Sequence, residues 1–384
     1  MIPLAVPNLA GREAEYLQEC ITSTFVSTVG PFVSRFEEMV AAAAGAKHAV
    51  ATSAGTTALH AALLSVGVER DDLVIAPAFT FIASIASIAH CGAVPWLFDV
   101  SAENWTIDVR LLADKLEKET CRRADGSLVH KDTERRVSAI LPVFTLGIPA
   151  QMDEINELAK SYDLPIVVDA AAALGTDYKG RSSGNLGADF TMYSFNGNKT
   201  VTAGGGGGIV TDDPEKARLF RHLTTTARVG ANYDHDIVGY NYRMTNLQAA
   251  VGCAQMENLD RFVEAKRNIA RKYREAFSDI AGTAPFPDPE YARSGHWFSG
   301  IVVNNRDPGQ LADIHVRLRE AGIDSRPFWK PAHLQAPYVR APRTEMKVCE
   351  SLWQRIVTLP CSTALTAADQ DYIVDNVRRQ FANN

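Results

Sequence analysis

Two residues stand out for the chemistry they could do together. Lys199 closes the segment Tyr193-Ser194-Phe195-Asn196-Gly197-Asn198-Lys199, and Asp169 closes the apolar run Leu164-Pro165-Ile166-Val167-Val168 thirty residues earlier (199 − 169). A lysine amine is a nucleophile and, once freed, a base. A carboxylate at the end of a strand holds a pyridine nitrogen protonated. Pyridoxal 5′-phosphate (PLP) chemistry needs both. The lysine forms a Schiff base with the cofactor aldehyde, and the protonated ring accepts electrons from a carbanion. Taken singly, a lysine is more often on the surface and an aspartate more often caps a helix. The reading therefore depends on the motifs around them.

Ser53-Ala54-Gly55-Thr56-Thr57 follows one apolar stretch and opens a helical one. Free N–H groups at a helix start suit a phosphate, Gly55 permits close backbone approach, and the hydroxyls of Thr56 and Thr57 add donors. Plain helix capping by either threonine is the competing use. Phe81, in Pro77-Ala78-Phe79-Thr80-Phe81, could stack on a flat ring or simply pack in the core. The glycine run 204–208 lacks the lysine-containing end of a P-loop, and Ile209 breaks a dinucleotide fingerprint. It reads as a tight crossing after Lys199. The loop Gly239-Tyr240-Asn241-Tyr242-Arg243-Met244-Thr245-Asn246-Leu247 offers Asn241 and Arg243 to anions.

Elements must bring these residues together. Residues 50–52, 73–76, 94–98, 139–144, 166–169 and 190–195 read as strands, and 58–66, 82–90, 109–119 and 152–161 as helices between them. Such alternation implies a mostly parallel sheet covered on both faces, with ligands at the carboxyl ends of the strands. The charged stretch 115–136 reads as a solvated surface excursion. A long helix is expected from 247 to about 277. Beyond it, a strand at 300–303 and helices at 311–321 and 367–379 suggest a smaller C-terminal α+β domain. The expected division is a large cofactor-binding domain over 1–250, its first residues packing on the small one, and a bridging helix with the small domain over 251–384.

Bulk properties exclude several classes. The 384 residues are 46% hydrophobic and 22% charged, as in an ordinary globular protein. A net charge of −6 argues against general nucleic-acid binding. The six cysteines form no CxxC pair, so neither a metal site nor a redox couple is expected, and scattered thiols fit a reducing cytoplasm. Residues 1–10 carry two prolines and no basic region, unlike a signal peptide. Residues 73–98 lack charge altogether, but Pro77 and Pro95 divide them into strand, helix and strand, so no membrane span is expected.

In this order along the chain, the motifs resemble those of the DegT/DnrJ/EryC1/StrS family of sugar-nucleotide aminotransferases, fold type I PLP enzymes. The resemblance runs from Val26-Ser27-Thr28-Val29-Gly30-Pro31-Phe32-Val33 through Asp169-Ala170-Ala171 to Arg326-Pro327-Phe328-Trp329-Lys330-Pro331-Ala332-His333 and Leu359-Pro360. The form Ser194-Phe195-Asn196-Gly197-Asn198-Lys199, with His235-Asp236 ahead of the Asn241 loop, looks most like the branch acting on UDP-4-keto-6-deoxy-N-acetylhexosamines. The resemblance implies that Lys199 is the Schiff-base lysine and proton shuttle, that Asp169 pairs with the pyridine nitrogen, and that Phe81 stacks on the ring. It implies that Gly55, Thr56 and Ser194 hold the phosphate. Asn241 would reach the phosphate bound by a second subunit, making a homodimer with a shared site. Arg326 and His333 are weaker candidates, with Arg243, for the substrate side.

The same resemblance implies a reaction. L-glutamate would give its nitrogen to the cofactor, and a nucleotide-linked keto sugar would receive it, yielding an amino sugar nucleotide for glycan biosynthesis. Two positions depart from the family pattern. Ala172 stands where relatives carry Gln, Glu or His, and Phe144 where they often carry His. Both changes make the expected pocket less polar. A dehydratase of the same family would replace the lysine, often with His, and Lys199 is present. A non-catalytic PLP-binding regulator would bring a nucleic-acid module, and none is visible. An enzyme acting on free amino acids would not need the segment 326–333.

Overall fold

The structure, a computed structural model, describes residues 1–304 and 308–381. Its centre is a sheet in which Val94–Phe98, Leu73–Pro77 and Val137–Ile140 run parallel. Parallel bridges from Ile140 to Ile166 and from Val143 to Asp169 join this half to a second one. There Val167–Asp169 pairs in parallel with Phe190–Ser194, and Gly207–Thr211 then runs antiparallel between Phe190–Ser194 and His48–Thr52.

Alternation along each strand sends neighbouring side chains to opposite faces. Val74 and Ala76 join one apolar core, and Leu73 and Ile75 the other. Helices Gly55–Ser65 and Ile82–His90 cover the first face. Pro31–Ala44, Val109–Glu119, Met152–Tyr162 and Asn246–Met256 contribute to the second. Two-sided burial explains why these strands read as continuous apolar runs rather than as alternating ones. The C-terminal part builds its own antiparallel sheet from Thr283–Pro285, Ser299–Val303 and Ile356–Leu359, with helices Pro308–Glu320 and Ala367–Arg379. The chain start is stitched to it. Ile2 bridges Ile323, and the Cys361 N–H donates to the Leu4 carbonyl at 2.8 Å.

Three expectations needed correction. The long helix expected at 247–277 is two helices, Asn246–Met256 and Leu259–Ala276. The Glu257 carboxylate between them is held by the Tyr16 hydroxyl at 2.5 Å and by Arg35 at 2.7 Å. Asn258 then takes a non-helical conformation as the cap of the second helix. The charged excursion at 115–136 contains a hairpin, Thr120–Arg122 against Leu128–His130, turning through Asp125-Gly126. The helix expected at 58–66 starts three residues earlier, as Gly55–Ser65, which puts Gly55 and Thr56 in its first turn.

Candidate active site

The carboxyl ends of the strands surround one cavity of about 330 Å³. Asp169 and Ser194 end their strands, Ser53 and Ala54 lead from His48–Thr52 into a helix, and Val143 to Leu146 follow Val137–Ile140. Phe81, 56% exposed, caps helix Ile82–His90 and lines the same space. From the C-terminal part come Trp297, Phe298 and Trp329. The Trp329 ring lies 6.1 Å from Phe81 and 5.9 Å from Trp297, so three aromatic rings flank the cavity.

Asp169 is 5% exposed. One carboxylate oxygen accepts from the Ser84 hydroxyl at 2.6 Å, the other from the Ala171 N–H at 3.0 Å. Burial raises its pKa, and these hydrogen bonds together with the charge of Lys199 work in the opposite direction. A cation placed against such a carboxylate relieves the cost of burial, which suits a protonated ring nitrogen.

The Lys199 ammonium lies 3.6 Å from the centre of the Trp297 ring. Burial lowers its pKa to about 8, Asp169 raises it, and Lys266 lowers it further. An amine with a pKa near 8 has a far larger neutral fraction at physiological pH than an ordinary lysine, and that fraction can attack an aldehyde or take a proton. The loop carrying it is short and tied down. The Lys199 N–H donates to the Asn196 carbonyl at 3.0 Å, and the Trp297 indole N–H donates to the Asn198 carbonyl at 2.7 Å.

The corner formed by Gly55, Thr56 and Ser194 is tight for a backbone reason. A Cβ on Gly55 would sit 3.2 Å from both the Met192 sulfur and the Ser194 Cβ. A Cβ on Gly207 would fall 2.4 Å from the Gly55 nitrogen, so the glycine run is the place where strand Gly207–Thr211 crosses the helix start. Thr57 is not part of the cavity lining, though its hydroxyl lies 3.5 Å from that of Ser53. Its hydroxyl accepts from the Ala54 N–H at 3.2 Å and donates to the Ala54 carbonyl at 2.8 Å, so here capping accounts for the side chain.

Other sequence-predicted residues lie outside this cavity. Asn241 is exposed and bridges Thr225, and Arg243 bridges Thr52 through its backbone. Arg326 pairs with Asp324 at 2.9 Å on the surface, and His333 is buried with its Nε2 2.8 Å from Glu350. Ser84, Trp297 and Trp329 were missed by sequence reasoning. Ser84 and Trp297 are separated from Asp169 and Lys199 by 85 and 98 residues (169 − 84; 297 − 199). Only tertiary folding makes them neighbours.

The cavity fits PLP on its own chemistry. It holds a buried carboxylate that forms no ion pair among the described residues, an enclosed amine of lowered pKa, and a helix start beside Ser194. It also holds an orphan: the Thr145 hydroxyl is buried on its wall without a hydrogen-bond partner. Ala172 and Phe144 line the wall as well, beside Val143, Leu146 and Ala171, so that side is mostly apolar. Among the described residues no cluster of metal-ligating side chains occurs and no helix is long and apolar enough to cross a membrane.

Comparison with known proteins agrees with this chemistry. The family model for the DegT/DnrJ/EryC1/StrS aminotransferases matches residues 7–378. EpsN of Bacillus subtilis (strain 168), assigned by its name to the pyridoxal phosphate-dependent aminotransferases, is 35% identical over 99% of this chain and 96% of its own. GDP-perosamine synthase of Caulobacter vibrioides is 36% identical over 97% and 96%. A crystal structure of a family member from Brucella abortus superposes with a TM-score of 0.87 at 28% identity, covering 97% of this chain and 96% of that one. The parallel sheet, the small C-terminal α+β part and the lysine facing an aspartate across the cavity are thus those of a fold type I enzyme, and the chain belongs to the DegT/DnrJ/EryC1/StrS family of PLP-dependent aminotransferases.

Proposed function

We propose that this enzyme moves an amino group from L-glutamate to a nucleotide-linked 4-keto-6-deoxy sugar, giving an amino sugar nucleotide for glycan assembly. The observation carrying this reading is the enclosed pair of Lys199 and Asp169 around one cavity, in a chain similar throughout to GDP-perosamine synthases. Bound there, PLP supplies an electron sink, so a carbon beside the reacting nitrogen can lose and regain a proton.

The chain's own residues do the rest. Asp169 keeps the ring nitrogen protonated, and Ser84 and the Ala171 N–H keep Asp169 in place. Gly55, Thr56 and Ser194 hold the phosphate. Phe81 covers the ring. Lys199 would move the proton from the donor carbon to the cofactor's aldehyde carbon in the first half of the reaction, and from that carbon to the sugar carbon in the second. Its lowered pKa suits it to both directions of transfer. The apolar wall at Val143, Phe144 and Leu146 excludes water from the reacting carbon. We assign residues 1–250 to the cofactor-binding domain and 251–384 to the bridging and small domain. The exposed Asn241 is proposed to complete the phosphate corner of a second subunit in a homodimer.

The resemblance around Lys199 favours a UDP-4-keto-6-deoxy-N-acetylhexosamine, and the similarity to GDP-perosamine synthases favours a GDP-linked sugar. An amination assay decides. Purified enzyme with PLP and L-glutamate is offered the UDP-, GDP- and dTDP-linked 4-keto-6-deoxy sugars in parallel, and products are read by mass spectrometry. Amination of the UDP sugar supports the first branch, and amination of the GDP sugar moves the assignment to the second. A cofactor absorbance that glutamate changes, with none of the three sugars aminated, would remove the proposed acceptor class. An absorbance that glutamate leaves untouched would remove the proposed donor.

A further inference from the structure

A second buried lysine lies behind the first. Lys266, on helix Leu259–Ala276, is 2% exposed. Its ammonium donates to the Trp297 carbonyl at 2.9 Å and lies 3.5 Å from the Cys361 sulfur. Among the described residues it forms no ion pair with a carboxylate. Burying an ammonium without a counter-charge is costly, so its placement against Trp297 asks for a use.

Trp297 is fixed at four points. Its carbonyl receives Lys266, its backbone N–H donates to the Leu146 carbonyl at 3.2 Å, and its indole N–H donates to the Asn198 carbonyl at 2.7 Å. Phe298 stacks on it with ring centres 3.9 Å apart. The ring face left over carries the Lys199 ammonium. Leu146 itself sits in the left-handed region at φ 59°, a strained conformation for leucine. The surrounding hydrogen bonds hold it there, since Thr176 donates to the Gly147 carbonyl at 3.1 Å.

We propose that the indole face of Trp297 is the seat of the Lys199 amine whenever that amine is not bonded to carbon, and that Lys266 fixes this seat from behind. The proposal rests on Lys199 being the amine that cycles. During half of the catalytic cycle that amine is free, and it must stay close to the substrate carbon without drifting into solvent. An aromatic face meets both needs, because it attracts an ammonium yet accepts a neutral amine without a desolvated partner. Within each half-reaction the proton taken from one carbon would stay on Nζ, over the ring, until it is passed to its neighbour. Burial pushes that proton off most strongly, Asp169 holds it on, and Lys266 pushes it off. The indole face, in contact with the ammonium, adds to the hold. Lys266 is therefore a positioning residue that acts through Trp297 and through its charge.

The test uses full-length enzyme loaded with pyridoxamine 5′-phosphate, in which no lysine is bonded to the cofactor. Brief labelling with a limiting amine-reactive reagent across pH 6–11, followed by peptide mass spectrometry, gives the titration midpoint of Lys199. Trp297→Leu is expected to lower that midpoint by about 0.5–1 unit, Trp297→Phe by less, and Lys266→Met to raise it by a few tenths of a unit. Far-ultraviolet circular dichroism checks that each variant folds, and the milder Trp297→Phe and Lys266→Met pair decides if the leucine variant does not. Midpoints identical to wild type in every folded variant would overturn the seat, since a purely structural role moves stability and not this titration. Borohydride trapping of PLP-loaded wild type separates the underlying reading. Label on a lysine other than Lys199 would remove that residue from the cycle, whatever the midpoints show.

Discussion

Asp169 and Lys199 face the same cavity and are held in opposite ways. The aspartate is bonded on both carboxylate oxygens, from a helix and from its own turn, and comes from a strand in the middle of the sheet. The lysine amine touches an aromatic face, and that face comes from the other end of the chain. The first arrangement suits a charge that must stay still through every step. The second suits a group that must leave, return and change protonation. Directional hydrogen bonds fix, whereas a ring face allows sliding at little cost.

The largest test of this contrast removes the mobile partner. Lys199→Ala is expected to lower turnover by at least about 10³-fold, while the protein still binds PLP non-covalently, with an absorbance resembling the free aldehyde. Asp169→Asn should follow at about 10²–10³-fold, because the amide cannot hold the ring nitrogen protonated. Steady-state kinetics with the aminated sugar as readout checks both. If the asparagine variant were as active as wild type, the fixed charge would have no part in the reaction.

Ser84→Ala sharpens the comparison. Losing a hydrogen bond to a buried carboxylate should weaken PLP binding by about tenfold, measured by fluorescence titration. The sign of its pH effect follows from the raised pKa of Asp169. Without the Ser84 hydroxyl that pKa moves higher still, so the acid limb of kcat/KM should shift upward. The smallest effect is expected at Thr57. Thr57→Val removes the contacts with Ala54 and the 3.5 Å contact with the Ser53 hydroxyl, so stability should fall by about 1 kcal/mol in denaturant melts with turnover within about twofold.

The positions of the fixed elements were largely legible in the sequence. Apolar runs bounded by prolines and glycines mark buried parallel strands, and Asp169, Ser194 and Gly55 sit where those strands end. Their chemistry is local, so a short window of sequence contains it. The break at Glu257 and Asn258 was not legible, because it depends on Tyr16 and Arg35 reaching across from distant helices. The hairpin at 120–130 was missed although Asp125-Gly126 marks its turn, since the surrounding charge read as a solvated surface excursion. Trp297 was missed for the reason that makes it interesting. Nothing near residue 297 announces a lysine nearly a hundred positions earlier. Conversely, Arg326 and His333 looked available for a ligand and proved to have acidic partners of their own.

The antiparallel strand Gly207–Thr211 also dictates an order of events at the ribosome. Among the described residues strand His48–Thr52 pairs with one strand only, apart from the single bridge to Arg243, and that partner arrives 155 residues later in the chain (207 − 52). At ordinary rates of synthesis that is a wait of about ten to thirty seconds. Until then that edge of the strand lacks its ladder partner, and an unpaired edge is where chains stick to one another. The corner of Gly55, Thr56 and Ser194 is consequently begun early in translation and completed late. Yields in a heterologous host should depend on chaperones that shelter the first two hundred residues.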